Sequence, residues 1–208
     1  MVEAGPWRRF AGDDRASVTI EFMLWLPLLL LWFVASVVIY DAYRTRDTAL
    51  KASIISTDFV SRKVILNNAD LDSIYSLMQG ILQQVDGTVR FRVSSIEFEE
   101  GNSGDPAVLD ADDVYCLDWS RGRPDSGERE FEPFGSDNSQ IPREMYDQLP
   151  IIADEYSVLL VELEVPFIPF SDWVGIEAQT WSYDQFVKPR SGVNVEFSGV
   201  PDQDCKSS

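Results

Sequence analysis

Apolar positions dominate the chain early and then settle into regular periods. Residues 22–40 form an uninterrupted run without a formal charge, opened by Phe22 and closed by Tyr40. As a helix rising ~1.5 Å per residue, such a run spans about 28 Å, close to the thickness of bilayer hydrocarbon. Leu, Ile, Val and Phe make up most of it, each contributing roughly −0.3 to −0.6 kcal/mol to insertion, so Pro27 and Ser36 do not reverse the balance. The run is longer than the apolar core of a secretory leader. It leaves through Tyr40-Asp41-Ala42-Tyr43-Arg44 with no small-residue cleavage site, which reads as a retained anchor rather than a cleaved signal.

Helical spacing continues past this run. Leu50 and Ile54, Ile55 and Phe59, and Val60 and Val64 are i,i+4 apolar pairs, and no Gly or Pro interrupts residues 41–66. Asn67-Asn68 breaks the pattern. A second helix is expected from Asp70 as the N-cap, with Leu71, Ile74, Met78, Ile81 and Val85 on one stripe. The period then drops to two. Val89, Phe91 and Val93 alternate with Arg90 and Arg92, while Ile96 and Phe98 alternate in the opposite phase. A bulge near Ser94-Ser95 is expected to repair that register.

Later elements follow the same logic. Residues 99–113 read as an acidic loop, 114–119 as a short strand, 120–140 as an exposed Gly/Pro/Ser-rich loop and 142–149 as a short helix. Residues 157–165 are the strongest strand, ended by Pro166 and Pro169. Residues 176–187 form another, whose Trp181, Tyr183 and Phe186 read as core. Lys188-Pro189-Arg190 closes the domain, and 191–208 form a tail with a short strand at Val193-Val195-Phe197. There is no internal repeat. The expected fold class is α+β, a long N-terminal helix packed on a small antiparallel sheet. The expected divisions are 1–16 leader, 17–40 transmembrane helix, 41–190 folded domain and 191–208 tail.

Charge narrows the partners. The formal charge is −18. Residues 1–21 carry three Arg against four acids, so −17 lies beyond them. So acidic a domain repels nucleic acid and anionic lipid. Arginines and lysines are nearly balanced across the apolar run; the reading adopted puts the N-terminus in the cytoplasm and the domain outside. Cys116 and Cys205 are an even pair, which in an exported domain suits a disulfide, two free thiols being the alternative.

Chemistry is sparse. The chain has no His, which removes Ser-His and Cys-His nucleophile pairs and His-ligated zinc, and no phosphate-binding glycine motif. Asp110, Asp112, Asp113 and Asp118 could offer oxygen ligands to Ca²⁺, but lack the spacing of a calcium loop and read as a solvated acidic segment. No cofactor and no enzymatic activity is expected. The most informative acid is Glu21. It follows Val18-Thr19-Ile20 and abuts Phe22 at the mouth of the apolar run. A carboxylate there is costly without a partner, although an acid in a first helical turn is also favoured by the helix dipole.

A short polar leader, a small residue, four residues, then Glu-Phe and a long apolar helix resembles the start of type IV pilins and pseudopilins. With Leu26-Pro27-Leu28-Leu29-Leu30 after the box, a charged helix, a late strand ending Val165-Pro166-Phe167 and a last strand ending Lys188-Pro189-Arg190, the layout resembles the TadE/TadG-like minor pseudopilins of the Flp (Tad) pilus system. The larger members carry an added von Willebrand-type metal-binding domain with an Asp-x-Ser-x-Ser motif, absent here, so the chain looks more like the TadE branch. The resemblance implies cleavage by a prepilin peptidase between Ala16, where Gly is usual, and Ser17. Glu21, beside Phe22, would then be the carboxylate that neutralises a neighbouring subunit's new amine. It further implies a bacterial inner-membrane location, a periplasmic domain, and other pilins and the inner-membrane pilus platform as partners, with possible incorporation into the pilus. The alternative is a permanently anchored periplasmic binding or scaffold domain of an envelope complex, which would keep its first 16 residues.

Overall fold

The computed structural model describes residues 14–83, 85, 87–101, 113–125, 131–152, 156–169, 175, 177–190, 192 and 194–201, with side chains from residue 18 onward. Two compact units emerge: Met1–Arg44 with Pro169–Glu177, and Thr45–Ile168 with Ala178–Ser208. Helix α1, Asp14–Ser61, contributes to both. It ends five residues before the break expected from periodicity (61 against 66), because Ile65–Leu66 leaves the helix to form strand β1.

In the first unit, α1 contains the one helical stretch, among the described residues, long and apolar enough to cross a membrane. Its mean hydropathy is 2.5 and only 6% of its most apolar stretch is buried. A core helix of a water-soluble protein would bury that surface. Pro27 lies inside the helix, and Ser36 returns its hydroxyl to the Trp32 carbonyl one turn back. Ser36 therefore adds no unsatisfied polar group to the apolar stretch.

The second unit is α+β, with α1 from Thr45 onward and α2 (Asn68–Ile81) on a five-stranded antiparallel sheet. The strands are β2 (Arg90–Glu99), β3 (Val114–Arg123), β4 (Ser139–Gln140), β5 (Ser157–Phe167) and β6 (Gln179–Val187), in the order β4-β3-β2-β5-β6. Strand β7, Glu196–Phe197, pairs in parallel with β1. Asn67 rather than Asp70 caps α2: its side-chain oxygen accepts the Asp70 N–H at 2.9 Å.

Each face of the sheet carries its own core. On one face Phe91, Val93, Trp119, Leu159, Val161 and Leu163 pack against Ala49, Ala52 and Val60 of α1, Leu71, Ile74 and Met78 of α2, and Val195 and Phe197 near the C-terminus. Small residues on α1 let the helix lie close to the strands. On the opposite face Ile96, Phe98, Tyr115, Leu117 and Leu160 pack under Ile141 and Ile152.

The phase change in β2 is therefore real and is not repaired. Pairing between β2 and β5 runs without a shift from Arg90–Glu164 to Glu97–Ser157, so Ile96 and Phe98 stay on the second face. The bulge sits on β3 instead. The register steps from Ser95–Trp119 to Ile96–Leu117, leaving Asp118 unopposed. That extra residue sends Trp119 to one core and Leu117 to the other, although they are two apart in sequence.

Residues 120–140, expected to be an exposed loop, are largely structured. Strand β3 continues to Arg123 and the chain returns over the second face. A Cβ on Gly122 would lie 1.9 Å from the Phe131 carbonyl oxygen, so only glycine admits this strap. Under it, Arg92 pairs with Glu162 and donates to the Glu132 carbonyl at 2.9 Å. Its guanidinium lies 4.5 Å from the Phe131 ring and 5.3 Å from that of Phe134. Gly122→Ala is expected to lift the strap and cost about 1–3 kcal/mol by overpacking. Loss of protection at the Phe131 and Phe134 amides in hydrogen exchange, with β5 unchanged, is the readout; unchanged protection at both would contradict it.

Strand β5 also outruns its expected end at Val165. Pro166 lies inside it because β2 pairing stops at Glu164, and only β6 pairs with it there.

Candidate functional site

Glu21 lies in α1, exposed, between exposed Ile20 and Phe22. The junction expected to be cut, Ala16/Ser17, falls within the same helix. Glu21 is four residues beyond Ser17, so the two positions share one helix face, one turn or about 6 Å apart. Residues 1–13 of the expected leader 1–16 lie outside the described residues.

The remaining candidates belong to the second unit. Cys116, buried in β3 opposite Glu97, is disulfide-bonded, and Cys205 lies outside the described residues. Of the four aspartates considered for Ca²⁺, Asp110 and Asp112 also lie outside them. Asp113 is buried and accepts the Gly101 N–H at 2.8 Å; Asp118, on the bulge, accepts the Ser95 hydroxyl at 2.7 Å. Each serves a separate structural contact. Among the described residues, no group of three or more such side chains could hold a metal ion.

The aromatic strand behaves differently from the expected core. Trp181 stacks on Phe167 with centroids 5.1 Å apart, and half-buried Tyr183 donates to the Arg46 carbonyl at 3.0 Å. Phe186, however, is 40% exposed. With Gln185, Val187, Ile54, Ile55, Thr57, Asp58 and Arg190 it lines a groove of about 490 Å³. A second hollow, about 420 Å³, contains the Arg90–Glu164 ion pair. Its two charges face each other across β2 and β5.

Sequence reasoning missed these paired charges. Arg90-x-Arg92 and Glu162-x-Glu164 stand in direct register, and two period-two runs of opposite sign were the available signal. Arg123 was also missed. Its guanidinium is buried and bonds Asp72 at 2.6 Å and the Asn68 side chain at 3.0 Å, tying β3 to α2.

Three tyrosines in the second unit have raised pKa values. Burial is the main cause at Tyr75, Tyr115 and Tyr183, reinforced at Tyr115 by Tyr146 and Asp113 and opposed at Tyr183 by Arg46. A phenol whose folded pKa exceeds its unfolded value of about 10 stabilises the fold fully below that pH and loses the contribution as pH rises toward the folded value. The urea midpoint is expected to fall above about pH 10, and less steeply in Tyr115→Phe. A midpoint flat to pH 11, or the same slope in the variant, would contradict this.

No protein-family model, curated protein or solved structure matches this chain.

Proposed function

We propose that this chain is a minor pseudopilin-like structural subunit for assembly of a Flp/Tad-type pilus, matured by a prepilin peptidase and held in the bacterial inner membrane with its folded domain in the periplasm. The observation that carries the reading is Glu21: an exposed acid one turn beyond Ser17, at the start of an apolar helix that the chain leaves unburied. Helix α1 also supplies small residues to the sheet core of the second unit, which fits a subunit that presents a lipid-soluble helix and a folded head.

In this reading, removal of residues 1–16 frees an amine on Ser17. The Glu21 carboxylate of one subunit neutralises the amine of its neighbour where water is scarce and the pair is strong. The apolar helix then packs among other pilin helices. The role is structural, with no reaction catalysed.

Co-expression with the cognate prepilin peptidase tests the maturation step. Intact-mass measurement of the membrane-extracted protein is expected to give a chain beginning at Ser17. An N-terminus retained at residue 1 or 2 under conditions where the major pilin is cut would support a permanently anchored scaffold instead.

A further inference from the structure

The two edges of the five-stranded sheet are built differently. Beyond β3 the sheet tapers into β4, only two residues long. At the other edge β6 is nine residues long and pairs with β5 in unbroken register from Leu159–Val187 to Phe167–Gln179. Among the described residues no strand pairs with its outer side. Proteins blunt such edges with proline, bulges, short length or several charges. Strand β6, Gln179-Thr180-Trp181-Ser182-Tyr183-Asp184-Gln185-Phe186-Val187, has no proline, no register shift and a single charge.

An apolar receptor lies beside this edge. The groove of about 490 Å³ runs from Gln185, Phe186 and Val187 to Ile54 and Ile55 of α1. Ile54 is 53% and Ile55 46% exposed. Asp58 and Arg190, which also line it, are paired with each other at 3.0 Å, so its charged groups need no partner charge.

We propose that β6 is a docking edge, to which an extended segment of a partner protein adds as a sixth strand. Backbone hydrogen bonds supply the pairing, and side chains near the C-terminal end of β6 enter the groove. Charge complementarity identifies the partner segment. Asp184, exposed and held by the Ser182 hydroxyl at 3.0 Å, calls for a lysine or arginine opposite it. Phe186, two residues on and on the same face, calls for an apolar residue. A second copy of this chain fits poorly, since β6 contains no cation to set against Asp184 and the −17 charge beyond residue 21 would repel its twin. The proposal is independent of the pilus reading, because an anchored scaffold would use the same edge.

The test is hydrogen exchange on the full chain in detergent micelles. The probe is a nine-residue peptide of alternating valine and threonine carrying one lysine, with a control peptide methylated on alternate backbone nitrogens. With the plain peptide at about ten times its Kd, exchange of β6 amides is expected to slow about tenfold. The methylated peptide should leave β6 unchanged. Asp184→Lys should weaken the lysine peptide and favour a glutamate-bearing one, while β2 and β5 amides of the variant report an intact sheet. Four results would overturn the proposal: no slowing at any peptide concentration, equal slowing by the methylated peptide, indifference to Asp184→Lys, or slowing driven by protein concentration alone, which would make the occupant a second copy.

Discussion

Trp119→Ala is expected to destabilise the folded domain by about 3–5 kcal/mol, a large share of the roughly 5–15 kcal/mol that holds a typical domain together. Trp119 is 1% exposed. Its indole N–H donates to the Val195 carbonyl at 2.8 Å, and its ring lies 5.2 Å from that of Phe197. The same segment closes the small sheet: the Glu196 N–H donates to the Val64 carbonyl and the Ser198 N–H to the Leu66 carbonyl. Truncation therefore leaves a cavity and an unpartnered carbonyl, and loosens β7 from β1. The urea midpoint should drop with little change in slope, and exchange at Glu196 and Ser198 should rise more than at Leu163. Trp119→Phe keeps a smaller aromatic ring but not the donor, so it should cost about 1–3 kcal/mol. A loss below 1 kcal/mol in Trp119→Ala would show that the C-terminal segment is held by other contacts.

This clamp also shows where sequence reasoning stopped. Apolar spacing located α1, α2, β2 and β5, and a run of aromatic residues located β6. It placed a short strand at Val193-Val195-Phe197, which β7 meets at Glu196–Phe197, but it put that strand in a tail, because its partners Ile65–Leu66 are about 130 residues away in sequence. The opposite phase of Ile96 and Phe98 was legible, but its meaning was not. One strand serving two cores looks the same in sequence as one strand with a repaired register, and only the β5 pairing separates them. Polar residues hid the second half of β3. Arg121 and Arg123 look like loop until Asp137 and Asp72 are found beside them. Gly122 looked like a turn residue, whereas its role is to let the Phe131 carbonyl approach the sheet.

The candidate site was more legible than the domain. Glu21, its spacing from Ser17 and the apolar run beyond it are all local in sequence, and α1 keeps that order. The open edge of β6 was not legible, since strand order comes from long-range pairing and Phe186 has the apolar character of a core residue.

Replacing Glu21 tests the central claim. An acid near the centre of a membrane helix costs about 2.5–3.5 kcal/mol on insertion scales and less toward the interface. Glu21→Ala should therefore insert at least as well as the wild type, and the domain folded from Thr45 onward should be unaffected. Glu21→Gln keeps the shape and removes the charge. If the carboxylate neutralises a neighbour's Ser17 amine, both variants should reach wild-type membrane levels and begin at Ser17 while losing incorporation into the pilus. The decisive measurement compares piliation of wild type, Glu21→Ala and Glu21→Gln at matched membrane levels. The account predicts pili in the wild type and their loss in both variants; normal piliation in both would contradict it and leave Glu21 as a helix-start residue.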